Sequence, residues 1–351
     1  MQTLFSHRKA IKIMATLLSL AGVIGALWWA LFALKPYEIT LEQLSARYAH
    51  AAPTSKEAVM QLGAAEAITV GSTQAWAVDL RFASFDGAQA IGRVVYPTDP
   101  RQRNATAPRW PVLLALHAMG RTHWRWWQAE FKGRATVEST HLLAEHALQS
   151  GYAILALDAR GHGERKDPDR PLIARELLTD LRVWGKREPY ERLVVDTVKD
   201  YRVVMDWVEQ QPQFDAAQIR AVGYSMGAQM ALLLAGIDSR VGSVAAMVPP
   251  HLDNKVAAVS PYTVASRLAS VEVWLLTAED DEYAAQSDNA ALFASLPGAN
   301  HQHLIFPGGH VLPAAYVDRL RPWLTSAANT GMASSPQPIP AAPEGGVARN
   351  P

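Results

Sequence analysis

The pentapeptide Gly223-Tyr224-Ser225-Met226-Gly227 carries the strongest chemical signal in the chain. It follows an apolar run at 219–222 and opens an apolar stretch of helical spacing at 226–235. A serine on a tight strand-to-helix turn, with glycines where backbones crowd, holds its Oγ at a helix N-terminus. There the dipole and free N–H groups favour developing negative charge, which makes Ser225 a candidate nucleophile. A serine at its free pKa is inert and needs a base beside it. Of the 11 histidines, His310 in Pro307-Gly308-Gly309-His310-Val311 is best placed. It lies in a loop between the last strand and the last helix, where it can fold back over a sheet edge. The acid that orients the base is expected where the preceding strand, 273–278, runs into Glu279-Asp280-Asp281-Glu282. Four consecutive acids cannot all be buried, so most are solvated or cap the next helix. Asp281 is the first choice for the orienting acid and Asp280 the second. An oxyanion needs two fixed donors. One is the N–H of Met226, directly after the serine; the other comes from His117-Ala118-Met119-Gly120, with Met119 first and Ala118 second.

These groups lie far apart along the chain, so a scaffold must gather them. Two β-rich runs, 74–82 and 88–96, flank Asp86-Gly87, a hairpin signal. Short apolar runs follow at 112–116, 153–157, 219–222, 244–248, 271–276 and 303–306, most without alternation, as strands covered on both faces require. Helical stretches separate them at 140–149, 194–211, 226–235, 286–295 and 314–325; the second carries a wide apolar stripe. The pattern predicts an α/β class: a doubly wound, mostly parallel sheet over residues 73–326, with its site at the C-terminal strand edges.

The two ends read differently. His7, Arg8, Lys9 and Lys12 make a basic segment at 1–12, before an uncharged run at 13–34. That run is about 22 residues, or roughly 33 Å as a helix, which matches a hydrocarbon core. Signal-peptide apolar regions are shorter, so an uncleaved single-pass anchor is expected, with the basic segment cytoplasmic and the rest periplasmic or extracytoplasmic. Cleavage near Ala49-His50-Ala51 is the alternative. Residues 35–72 are expected to be a juxtamembrane linker. Five prolines among small and polar residues at 327–351 predict a disordered tail.

Composition removes several function classes. Among 351 residues, Lys+Arg and Asp+Glu are both 33, so no global field attracts nucleic acid. The absence of cysteine excludes disulfides, thiolate metal sites and a cysteine nucleophile. His301 and His303 share a strand face, but two ligands without a third are weak grounds for a metal. No phosphate-binding or dinucleotide motif opens a helix. No cofactor and no metal are expected.

Two insertions are placed to shape a substrate site. His123-Trp124-Arg125-Trp126-Trp127 is expected mainly to pack its loop onto the body, the alternatives being a pocket lining or a bilayer contact. Residues 164–192 carry an amphipathic stripe, Leu172, Ile173, Leu177, Leu178, Leu181 and Trp184, that suggests a small cap. His251 is expected at the surface rather than facing the pocket.

The chain resembles the α/β-hydrolases, in style the dienelactone-hydrolase-like and acyl-peptidase-like esterases, over about 74–324. The resemblance rests on His117-Ala118-Met119-Gly120, on Leu157-Asp158-Ala159-Arg160-Gly161-His162-Gly163-Glu164, on Gly223–Gly227, on the acid at Asp281 and on Gly309-His310. Ala118 departs from the glycine usual in the first piece. The order serine, acid, histidine suits this family. The resemblance implies Ser225 as nucleophile, His310 as base, Asp281 as orienter, and Met119 and Met226 as oxyanion donors, with His162 structural. The expectation is a membrane-anchored serine hydrolase acting on a small-molecule ester. A peptidase with the same three residues and a non-catalytic binding protein are the alternatives.

Overall fold

Apolar runs that lack alternation must be covered on both sides, and here they form the middle of one mixed sheet. The computed structural model describes residues 2–50, 60–104, 106–169 and 173–326. In chain order the first elements are α1 (Gln2–Phe32), α2 (Leu41–Tyr48), β1 (Gln61–Leu62), β2 (Glu66–Val70), β3 (Thr73–Ala83), β4 (Gln89–Tyr96) and β5 (Trp110–Leu116). A short hairpin, β6 (Glu130–Phe131) and β7 (Arg134–Ala135), precedes α3 (Thr140–Gln149) and β8 (Ala153–Leu157). Then come α4 (Ile173–Trp184), α5 (Glu188–Glu209), β9 (Phe214–Tyr224), α6 (Met226–Ile237), β10 (Val241–Met247) and α7 (Pro261–Val264). The chain closes with β11 (Glu272–Ala278), α8 (Gln286–Ser295), β12 (His301–Phe306), α9 (Tyr316–Arg319) and α10 (Arg321–Thr325).

Among the described residues the main sheet runs β1-β3-β4-β8-β5-β9-β10-β11-β12, with β2 also paired to β3. The β3–β4 and β4–β8 pairs are antiparallel, and every pair from β8 to β12 is parallel. Strand pleating divides each run between two layers. Val112, Leu114 and Leu116 of β5 join the core that contains α5 and α6, while Leu113 and Ala115 join the opposite core with α3 and Trp323. The buried face of α5 includes Val194, Val198, Tyr201, Met205 and Val208, spaced four and three residues apart as an amphipathic helix requires.

Two sequence expectations change. Residues 35–72 are not simply a linker. Within them α2 buries Leu44 and Tyr48 completely, under a Thr40/Gln43 capping box, and β1 and β2 extend the sheet. An eight-residue helix and strands this short carry too few periods to stand out in sequence. The helix expected at 314–325 is split at Leu320, because Pro322 lies in the first turn of α10. The indoles of Trp126 and Trp127 sink into the α3-side core, and Trp124 stacks on Phe131 beneath the Arg93 guanidinium. They hold the loop to the body.

One helix segment among the described residues, Lys12–Phe32, is long and apolar enough to cross a membrane. None of it is buried against the body. The tail expected at 327–351 lies outside the described residues.

Candidate active site

β9 delivers Ser225 to the C-terminal edge of the sheet, and α6 leaves immediately after it. The turn is severe. Ser225 has φ +56° and ψ −118°, a conformation that costs about 1–3 kcal/mol in a non-glycine residue. The neighbouring glycines make the turn possible. A Cβ on Gly223 would collide with the Gly227 carbonyl, and one on Gly227 with the Leu116 carbonyl. The Ser225 N–H donates to Met247 O at 2.8 Å, anchoring the turn to β10.

The loop after β12 brings His310 over this edge. Its Nε2 lies 2.8 Å from Ser225 Oγ, and its Nδ1 lies 2.9 and 3.0 Å from the two Asp281 oxygens. The Asp281 side chain is fully buried and also accepts the Tyr283 N–H at 2.8 Å. Asp280 is exposed, and its N–H donates to Gly308 O. Of the two candidate acids, Asp281 is the one that contacts His310. Tyr283 packs edge-on against the imidazole with ring centroids 4.5 Å apart.

Ala118, Met119 and Met226 line the same cavity as Ser225 and His310. Met226 is the first residue of α6, so its N–H has no intrahelical acceptor. The loop carrying Met119 is held from beneath by His117. Its Nε2 accepts the Ala159 N–H at 2.9 Å and its Nδ1 donates to Ala118 O at 2.8 Å. Those partners require the Nδ1–H tautomer, and burial keeps the ring neutral by lowering its pKa.

The Asp158–Glu164 motif forms the wall behind this loop. Asp158 accepts the N–H groups of His123 and Glu164, and Arg160 and Arg165 converge on buried Asp200. His162 is fully buried against His117, and burial depresses its pKa to about 4. It does not border the cavity over Ser225.

That cavity is about 440 Å³. Leu178, Leu181 and Arg182 of α4, with Tyr190 of α5, cover it. The Tyr190 hydroxyl donates to Gln229 Oε1, and Gln229 Nε2 donates to Val259 O, so the cover is tied into the body. Leu172 and its neighbours at 170–171 lie outside the described residues. At one end Arg121 meets buried Glu138 at 2.5 Å. His251 also lines the cavity, against the expectation of a purely surface position. His301 and His303 lie elsewhere, bonded to Pro297 O and Thr277 Oγ1.

Sequence reasoning missed Tyr224. Its hydroxyl donates to His310 O and accepts the Leu312 N–H, each at 2.8 Å. It also missed Leu34, Arg182 and Tyr190, whose places at the cavity arise from packing between distant segments.

A family model described as the alpha/beta hydrolase fold matches residues 111–277. No curated protein matches the chain in sequence. Among solved structures, a cold-adapted esterase from an Arctic intertidal metagenomic library is 19% identical with a TM-score of 0.53, covering 74% of this chain and 97% of that one. Acetyl xylan esterase 1 from Thermoanaerobacterium sp. is 16% identical with a TM-score of 0.54, covering 83% and 100%. An acetyl xylan esterase from Paenibacillus sp. is 16% identical with a TM-score of 0.54, covering 82% and 99%. The sheet order, the strand-to-helix turn at Ser225 and these matches make the chain an α/β-hydrolase-fold protein.

Proposed function

We propose that the protein is a membrane-anchored serine esterase, hydrolysing a carboxylic ester through an acyl-enzyme. The observation that carries the reading is the unbroken line of contacts from Asp281 through His310 to Ser225 at the floor of one cavity. In this mechanism Ser225 Oγ attacks the ester carbonyl carbon while His310 Nε2 takes the hydroxyl proton. The Met119 and Met226 N–H groups hold the tetrahedral oxyanion. The bond to the alkoxy oxygen breaks, and His310 returns its proton to the departing alcohol. Water, deprotonated by the same imidazole, then attacks the acyl carbon; Ser225 regains its proton as the acid leaves. Asp281 keeps the proton on Nδ1 throughout, so that Nε2 faces the serine.

The esterase names of the three structural relatives given above support an ester substrate. The apolar segment Lys12–Phe32 supports the anchor. The basic residues before it favour a cytoplasmic N-terminus and a catalytic body on the periplasmic or extracytoplasmic side.

Labelling of the folded protein by a fluorophosphonate, with the adduct mapped by mass spectrometry, tests the assignment. A single adduct on Ser225 that Ser225→Ala abolishes is expected. An unlabelled wild-type protein would favour a binding role on the same fold. Comparing kcat/KM across matched p-nitrophenyl esters and anilides separates esterase from amidase.

A further inference from the structure

The segment that leaves the apolar helix is not a slack tether. The Tyr37 N–H donates to Asn254 O, and its hydroxyl donates to Glu191 Oε1 at 2.6 Å while accepting the Ala258 N–H at 2.7 Å. Arg187 Nη2 donates to Lys35 O at 2.8 Å. These bonds strap residues 35–37 to the cap on one side and to the loop after β10 on the other. Leu34, two residues beyond the end of α1, is thereby held in the wall of the cavity that contains Ser225 and His310.

The helix itself also touches the cap. Trp28 Nε1 donates to Val183 O at 3.0 Å, and Phe32 packs edge-on against Trp184 with centroids 5.4 Å apart. The outer face of the cap next to these contacts leaves Val183 and Trp184 exposed, and Val311 is exposed at the cavity wall. The segments that meet here carry Lys35, Arg182, Lys186 and Arg187, with Lys35 over the Trp29 ring and Lys186 paired with Asp180; long basic side chains of this kind reach lipid headgroups.

Distance makes the consequence specific. Two residues span at most about 7 Å. The headgroup layer on each side of a hydrocarbon core is about 5–7 Å deep. If α1 spans the bilayer, Leu34 and the part of the cavity wall it forms are set within the headgroup layer. We infer that the site takes its ester from the membrane: an ester whose acyl or alkyl chain is embedded in the leaflet where α1 ends, drawn past Leu34 to the Leu178 and Leu181 side of the cavity beneath α4. This inference rests on the esterase and anchor readings above and gives them a substrate class.

The test uses the full chain in phosphatidylcholine vesicles carrying a tenth of phosphatidylglycerol. Two esters are compared: p-nitrophenyl acetate in the water and p-nitrophenyl palmitate in the bilayer. An insert of about twelve Gly and Ser residues between Phe32 and Ala33, about 19 Å in r.m.s. length, frees the body from the surface without touching the strap. Turnover of the embedded ester should fall at least about fivefold, with the acetate within about twofold of wild type. Unchanged turnover of the embedded ester would overturn the inference. Because the chain has no cysteine, Trp184→Cys offers one site for a fluorophore, whose depth is read by nitroxide-lipid quenching independently of activity. Quenching by headgroup-level nitroxides is expected; none would overturn the inference even if the insert damaged folding. Release of the protein by a high-salt wash would remove the anchor reading as well. Absence of turnover on both esters by wild type would remove the esterase reading. Retention on vesicles, turnover of both esters and no effect of the insert would sink this inference alone.

Discussion

The residue that precedes the nucleophile candidate grips the loop of the base candidate: the Tyr224 hydroxyl bonds His310 O and the Leu312 N–H, each at 2.8 Å. A flexible loop after the last strand would sample many positions for His310, and this clamp spans it from both sides. Because Tyr224 and Ser225 are consecutive, the clamp refers the imidazole to the same turn that places the Oγ.

Replacing Tyr224 with phenylalanine removes both bonds and leaves a half-buried carbonyl and a buried amide without this partner. A stability loss of about 1–3 kcal/mol is expected, with kcat on p-nitrophenyl acetate falling about tenfold and KM nearly unchanged. Restoration of neither bond but wild-type kcat would show that the loop needs no clamp.

The two adjacent aspartates separate by environment, so their amides should separate by activity. Asp281→Asn is expected to lower kcat about 10⁴-fold, because the asparagine favours the wrong tautomer of His310. Asp280→Asn, at an exposed position, should stay within about threefold of wild type. Steady-state kinetics on one ester decides between them, and equal losses would reject the selection of Asp281.

Strain at the turn should be measurable as stability. Ser225 has φ +56°, where glycine is tolerated. Ser225→Gly is therefore expected to raise the unfolding free energy by about 1 kcal/mol while abolishing turnover. Gly227→Ala, whose new Cβ would meet the Leu116 carbonyl, should cost more than about 3 kcal/mol or prevent folding. Urea unfolding of the variants provides the check, and a destabilised Ser225→Gly would argue that the turn is relaxed.

The buried His162 predicts an acid-sensitive fold. Its folded pKa is depressed to about 4, first by burial and then by the neighbouring His117. An unfolded histidine titrates near about 6.5. Between those values the unfolded chain binds a proton that the folded chain refuses, so stability is complete above about pH 6.5 and declines as pH falls towards 4. The full loss from this residue is about 3 kcal/mol. Urea midpoints measured from pH 7 to pH 4 should fall in wild type and fall less steeply in His162→Gln. Parallel slopes would place the acid sensitivity elsewhere.

Local pattern was enough to read the alternation of strands and helices, the pentapeptide around Ser225 and the apolar length of the first helix, because each is written in consecutive residues. Residue type and position in a strand-helix order also narrowed the base candidate to His310 and the acid candidate to Asp281 or Asp280. The choice between those two acids needed the fold, since burial is a property of what packs around a side chain. The small elements in 41–70 escaped notice because their stability comes from contacts with α5 and β3 rather than from their own periodicity. Leu34, Tyr190, Arg182, Tyr224 and His251 acquired their relation to the cavity only when the chain closed on itself. No spacing rule connects positions 34 and 310; a strap of hydrogen bonds and a parallel sheet bring them to the same wall.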